Sequence, residues 1–203
     1  MRHLAARLYD SDLLDRSAIS IDDAIELFVE FDQDGHAPDK VRFFGQLADA
    51  WGPMRRSPVE LDEWYLAAPR DWYEPDSEIV NFLAEVTAAG VGWGIVTNGP
   101  VSQLEKARLM RLDSGATCIL VSDVFGASKP APSIFLDALR QLGGPDPGSV
   151  LFVGDNPQAD IDGARRVGMA TAWIRRGREW PASLSPPDFT LDSVLETRLL
   201  LAG

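Results

Sequence analysis

The sequence predicts an α/β protein, a parallel sheet with helices on both faces, preceded by a helical region. Three observations lead there. From Asp76 onward, short apolar runs alternate with segments of helical periodicity, the pattern of right-handed βαβ units. Residues 150–168, V-L-F-V-G-D-N-P-Q-A-D-I-D-G-A-R-R-V-G, read as one buried strand, a turn and a helix. Residues 1–75 carry 3.6-residue periodicity and no strand-like run. The chain is therefore expected to divide into a helical part, 1–75, and an α/β part, 76–203.

Taken in order, Leu4, Ala5 and Leu8 share a helical face, and Ile21, Ala24, Ile25, Phe28 and Val29 mark an amphipathic helix with Gly35 as its stop. Pro38 opens a second, with Val41, Phe44, Leu47, Ala48 and Trp51 inward. Ser57-Pro58-Val59-Glu60 is a capping-box pattern with proline at the first helical position, and it starts a third carrying Leu61, Trp64 and Tyr65. The prolines and Trp72-Tyr73 of 67–75 mark a connection, and the aromatic pairs on either side read as packing residues. A helix over 76–89 buries Ile79, Leu83 and Val86, and a strand over 91–97 follows. After Asn98-Gly99-Pro100 comes a helix to about Met110, then a strand over 117–121 and Ser128-Lys129-Pro130. A helix over 133–142 and a Gly/Pro loop over 143–148 lead into the strand at 150–153. In the next helix Pro157 suits the first turn, Ile161, Ala164 and Val167 share a face, and Gly168 closes it. A strand over 171–174, an extended piece over 189–191 and a final helix complete the chain.

Composition narrows the function classes. With 19 basic and 31 acidic residues the net charge is −12, which argues against nucleic acid and anionic membranes as partners. Cys118 is the single cysteine, so an intramolecular disulfide and a cysteine zinc site are excluded, and a reducing, cytoplasmic setting is expected. His3 and His36 are too few and too far apart for a histidine metal cluster. No stretch approaches a membrane span, and the first residues lack the apolar core of a signal peptide. Nothing in the sequence fixes an oligomeric state.

Three successive strands end on polar groups of different kinds. Thr97-Asn98-Gly99 offers a hydroxyl, an amide and backbone N–H groups beside a helix start, a possible cradle for an oxyanion, or an N-cap threonine and a turn. Lys129, in a loop stiffened by Pro130 and Pro132, is suited to neutralising a phosphoryl oxygen, or is an exposed loop lysine. Asp155 stands at the tip of the 150–153 strand with Asp160 in the next turn, either a hold for one Mg²⁺ completed by water or a capped surface turn. In open α/β sheets ligands bind at that edge. Arg175, Arg176 and Arg178 follow the next strand and read as a solvated turn near it.

The segments G-I-V-T-N-G, S-K-P-A-P-S-I-F and V-G-D-N-P-Q-A-D-I-D-G-A resemble the second, third and fourth motifs of the haloacid dehalogenase-like (HAD) superfamily, over roughly residues 76–192. The resemblance implies a Rossmann-like parallel sheet with an α-helical cap in 1–75, and phosphoryl transfer through an aspartyl-phosphate with Mg²⁺. It assigns phosphoryl binding to Thr97 and Asn98, charge neutralisation to Lys129, Mg²⁺ to Asp155, and support of the metal site or of Lys129 to Asp160. The G-D-x-x-x-x-D form of the fourth motif resembles the Mg²⁺-dependent phosphatases rather than the metal-free dehalogenases.

The family's first motif, an apolar strand ending in D-x-D-x-T whose first Asp is the nucleophile, has no convincing copy. Asp10-Ser11-Asp12 has the spacing but follows Arg2, His3 and Arg7; Asp32-Gln33-Asp34 has it at the end of a helical pattern. That strand would lie mid-sheet, between those ending at Thr97 and Asp155. Its absence predicts unfilled ladders, two strands closed on each other, or residues 1–10 as a substitute. A start downstream of the motif is the simplest explanation; a genuine start predicts a chain that holds Mg²⁺ or phosphate weakly and turns nothing over. The resemblance thus implies a Mg²⁺-dependent phosphatase of small phosphate monoesters, inactive as given if the nucleophile motif is absent. The alternatives are a catalytically dead phosphate-binding or interaction protein, and a phosphomutase or dehalogenase of the same family.

Overall fold

The structure, a computed structural model, describes residues 8–9, 19–32, 40–52, 54–66 and 73–201. It forms two compact units, 1–72 and 73–203.

The first unit carries α1 at Ile21–Asp32, α2 at Lys40–Trp51 and α3 at Pro58–Leu66. Its core joins Leu8, Ala24, Phe28, Phe43, Phe44, Leu47, Trp51 and Leu61. Phe28 meets Phe43 edge-on at 5.0 Å, a favoured geometry for two aromatic quadrupoles. The inward stripe of α2 is therefore rotated from the sequence expectation. Phe43 is buried on Phe28, while Val41 is 38% exposed. The capping box forms as expected: Ser57 N–H donates to Glu60 Oε2 (2.8 Å) and Glu60 N–H to Ser57 Oγ (3.3 Å). These bonds hold the Glu60 carboxyl below the usual carboxylate range. Leu8 and Tyr9 are helical, and Tyr9 donates its hydroxyl to the Ile19 carbonyl at 2.8 Å. Asp10, Asp12, Asp34 and Trp72, and the side chains of Asp32, Trp64 and Tyr65, lie outside the described residues.

The second unit alternates helix and strand. It runs α4 (Ser77–Ala88), β1 (Gly94–Thr97), α5 (Ser102–Leu109), β2 (Cys118–Val121), α6 (Ser122–Phe125), α7 (Pro132–Gln141) and β3 (Leu151–Gly154). A π-helical turn (Pro157–Asp162), α8 (Gly163–Arg166), β4 (Ala170–Ile174), β5 (Phe189–Leu191) and α9 (Arg198–Leu201) follow. Asp76 caps α4 by accepting from Glu78 N and Ile79 N. Of the expected Ile79, Leu83 and Val86, Val86 is buried and the other two are half-buried, while Phe82 joins Val86 on the buried face of α4. The first strand is shorter than expected, because Val91–Trp93 stay outside it.

All strand pairs are parallel, but among the described residues the strands form two sheets, β1-β2 and β3-β4-β5. The expectation that β1 and β3 close on each other is not met, since no ladder joins them. In a parallel ladder, alternate residues bond to opposite sides. Trp93 O accepts from Thr117 N, so Ile95 and Thr97 face β2 while Gly94 and Val96 direct their backbone groups the other way. On β3, Val150 O accepts from Ala170 N, which likewise turns Leu151 and Val153 away from β4. These two edges are the ones a mid-sheet strand would fill. Burial agrees: β3 is half-buried throughout and β1 is half-buried apart from exposed Gly94, whereas β2 and β4 are mostly buried. The prediction of a doubly covered strand at 150–153 is not met: β3 is half-buried throughout, and among the described residues no strand pairs with its second edge. One hydrophobic core nevertheless serves both sheets, with Leu120, Ile134, Phe135, Ala138, Leu139, Ala164 and Met169 packed by Val96 and Phe152.

Asp188 fastens the segment before β5 to β4. Its Oδ2 accepts from Thr171 Oγ1 (2.7 Å) and Thr171 N–H (2.8 Å), and Thr171 is fully buried. These bonds hold the Asp188 carboxyl below its ordinary value. A lowered folded-state pKa adds stability above the unfolded carboxylate pKa, and that stability is lost as pH falls through the folded value. Asp188→Asn is therefore expected to lower the urea midpoint at pH 7, with the gap to wild type closing at acidic pH. A gap that widens on acidification would contradict this.

Candidate active site

The site is built at the C-terminal ends of β1 and β3, and Lys129 lies at its centre. Its Nζ donates to Asp160 Oδ1 at 2.6 Å and to the Val96 carbonyl at 2.8 Å. The ammonium also stands 5.7 Å from the centre of the Phe152 ring. Val96 belongs to β1 and Phe152 to β3, so this one side chain spans the interval where the two sheets do not bond. Val96 O is an acceptor on the open edge of β1, and the lysine satisfies it. The Lys129 and Asp160 side chains are only 11% and 6% exposed. A buried charge is tolerated when paired and hydrogen-bonded, and both conditions hold.

Asp160 is committed on both oxygens. Oδ1 takes the lysine, while Oδ2 accepts from the backbone N–H groups of Asp155 (3.1 Å) and Asn156 (2.9 Å). The local sequence explains how. Asn156 caps the turn, its side chain accepting from Gln158 N and Ala159 N. Asn156 O then accepts from both Asp160 N and Ile161 N, the latter an i→i+5 bond that widens the turn into a π-helix. The carboxylate is thereby swung back over the strand end. Gly154 makes room, because a Cβ there would lie 2.4–2.5 Å from Asp160 atoms. Gly163 does similar work beneath, since its Cβ would meet Phe135 at 2.7 Å and Pro130 Cα at 3.1 Å.

Asn98 is adjacent to Lys129 but spends its amide on that loop's backbone. Its Oδ1 accepts from Lys129 N–H (2.8 Å) and its Nδ2 donates to Lys129 O (3.0 Å). This reciprocal pair sets where the lysine loop docks on the end of β1, a positioning role that the T-N-G pattern did not reveal. Thr97 sits half-buried at the same strand end, its hydroxyl making only a long local bond to Asn98 O (3.3 Å). Ser122, missed by sequence reading, is buried and accepts from Gly99 N–H at 2.9 Å, fixing the turn after β1. Its signal was a polar residue directly after the apolar run of β2.

Asp155 is joined to this assembly through its own N–H on Asp160. Its carboxylate, 21% exposed, faces Arg176 Nε at 3.3 Å and Arg178 Nη2 at 3.9 Å. Its carbonyl accepts from Trp173 Nε1 (3.1 Å) and Arg178 Nη2 (2.8 Å). The R-R-G-R stretch is thus only partly the solvated turn expected. Arg175 turns outward to Asp192, while Arg176 and Arg178 turn to Asp155. A carboxylate is a hard oxygen donor of the kind Mg²⁺ takes, and Mg²⁺ is commonly held by one or two carboxylates with water and phosphate oxygens. The Asp155 carboxylate is a donor of that kind. The described residues contain no cluster of three or more His, Cys, Asp or Glu, and Asp160 is engaged on both oxygens.

Among the described residues no helix is long and apolar enough to cross a membrane. The profile of the haloacid dehalogenase-like hydrolases matches residues 15–168. The chain is 35% identical over 157 residues to a pyrimidine 5'-nucleotidase, YjjG, of Escherichia coli, covering 75% of this chain and 68% of that one. It is 32% identical over 164 residues to a phosphoserine phosphatase of Thermus thermophilus, covering 80% and 65%. The chain thus spans about two thirds of the length of these relatives. The crystal structure of a HAD phosphatase from Thermococcus onnurineus superposes with a TM-score of 0.59 at 28% identity, covering 98% of this chain and 89% of that one. With its parallel α/β fold and its lysine, asparagine and paired aspartates gathered at the ends of two strands, the chain belongs to the haloacid dehalogenase-like hydrolases.

Proposed function

We propose that the rim formed by Thr97, Lys129 and Asp155 receives the phosphoryl group of a small phosphate monoester, and that the chain serves a Mg²⁺-dependent phosphatase reaction through an aspartyl-phosphate. The observation that supports this best is the buried Lys129 ammonium. An ammonium has three N–H donors. Two are spent on Asp160 Oδ1 and Val96 O, which leaves one to meet a phosphoryl oxygen at the strand ends. The two relatives are named as a pyrimidine 5'-nucleotidase and a phosphoserine phosphatase.

In this reading Asp160 and Asn98 position the lysine, Thr97 offers a hydroxyl to a phosphoryl oxygen, and Asp155 holds Mg²⁺. When bound there, Mg²⁺ would supply positive charge against the phosphoryl oxygens. The helical unit takes the role of a cap that excludes water and selects substrate. The attacking carboxylate would belong to a mid-sheet strand; among the described residues no strand pairs with the second edge of β1 or of β3.

The test is hydrolysis of a generic aryl phosphate with Mg²⁺, by this chain and by the chain extended upstream with an apolar strand ending in D-x-D-x-T. Hydrolysis by either, lost in Lys129→Met and Asp155→Asn, is the expected result. Activity in neither chain, or activity indifferent to both substitutions, would overturn the proposal.

A further inference from the structure

The turn after β4 has a geometry that the hydrolase reading leaves unused. Arg176 and Gly177 both have positive φ, +48° and +76°, and Arg178 N–H closes onto Arg175 O at 2.8 Å. Two left-handed central residues with that closing bond make a type I′ turn. The left-handed region is uncommon for a residue with a side chain as long as arginine. The turn is anchored on its outer side, where Arg175 N–H donates to Leu191 O (2.9 Å) and its guanidinium grips Asp192 (2.5 and 2.9 Å). It is anchored on its inner side by Trp173, which packs edge-on against Trp180 at 5.0 Å and donates to Asp155 O. Held this way, Arg176 and Arg178 put two guanidiniums on one carboxylate.

We propose that Arg176 and Arg178 form a latch over Asp155 that competes with a divalent cation for its carboxylate and so sets the site's cation affinity. The inference rests on Asp155 being the cation ligand. A dication bound at Asp155 must displace guanidiniums now 3.3 and 3.9 Å from Oδ2, or share the carboxylate with them. Like charges that close, at the rim of a protein, repel strongly. The latch therefore weakens cation binding to the resting site. An anion that draws the guanidiniums away, such as a phosphate group, relieves the repulsion, and by linkage the cation then aids the anion.

The test uses the whole chain without substrate. Mn²⁺ binding is followed by the loss of the free-ion paramagnetic resonance signal, and Mg²⁺ by calorimetry. Arg176→Asn removes the charge and keeps a residue that tolerates positive φ, so the turn is retained; Arg178→Gln is the second variant. Arg176→Asn is expected to tighten Mn²⁺ binding by at least about tenfold, the removal of one nearby charge. Adding Asp155→Asn to it is expected to abolish that binding. Binding that depends on Asp155 but is unchanged or weaker in both arginine variants would overturn the latch and leave the hydrolase reading standing. Absence of any Asp155-dependent binding, in wild type and variants alike, would overturn the latch together with the assignment of the cation to Asp155.

Discussion

Asp160→Ala is expected to lower the unfolding free energy by about 3–5 kcal/mol, the cost of leaving one partner of a buried ion pair without the other. Asp160 is 4% exposed, and it serves three donors at once: Lys129 Nζ and the N–H groups of Asp155 and Asn156. Its removal strands an ammonium between the two sheets and orphans two backbone N–H groups at the end of β3. Lys129→Met is expected to cost less. It leaves an apolar side chain of similar length against Phe152, and Asp160 keeps its two backbone donors. Urea unfolding of both variants reads this asymmetry. A loss below about 1 kcal/mol for Asp160→Ala, the value of an exposed pair, would show that water reaches the pair.

Gly154→Ala is expected to damage stability and binding together. Its Cβ would stand 2.4 Å from Asp160 Cβ and 2.5 Å from Asp160 Oδ2, with strand backbone on one side and the buried turn on the other. Gly154 lies in ordinary strand conformation, so the penalty comes from overlap and not from backbone strain. Overpacking of this kind typically costs about 1–3 kcal/mol. The functional cost follows from direction, since Asp160 must be pushed off Lys129 or off the strand end. Thermal unfolding and a phosphate titration of the same variant should both shift. A variant with wild-type phosphate affinity would show that the lysine does not depend on where Asp160 lies.

The alternation of helix and strand after Asp76 was legible in the sequence, because period 3.6 and continuous apolar runs are local patterns that chain order alone displays. The capping box at Ser57–Glu60 was legible for the same reason: both of its bonds lie within four residues. Asp155 stood out because it follows an apolar run at the edge where a parallel sheet opens, and Lys129 and Asp160 because they fall in the proline-marked turns beyond such runs. What the sequence hid is non-local. Nothing within β1 or β3 says that they fail to bond to each other, so the half-exposure of Leu151–Gly154 could not be read from four apolar-compatible residues. Asn98 looked like a ligand for an anion, yet its amide finds the Lys129 backbone 31 positions away. The arginines of R-R-G-R looked solvated because their direction depends on the left-handed pair Arg176-Gly177, and an arginine at positive φ has no reliable local signature.

In the proposed function Lys129, held by Asp160 and Val96, presents its charge to a phosphoryl group at the ends of β1 and β3. A calorimetric titration of the chain with inorganic phosphate in the presence of Mg²⁺, beside the same titration of Lys129→Met, tests it most directly. Saturable one-site binding is expected in the wild-type chain, with a loss of at least about tenfold in the variant, the worth of a charge-assisted hydrogen bond. Equal affinities in two equally folded proteins would contradict it.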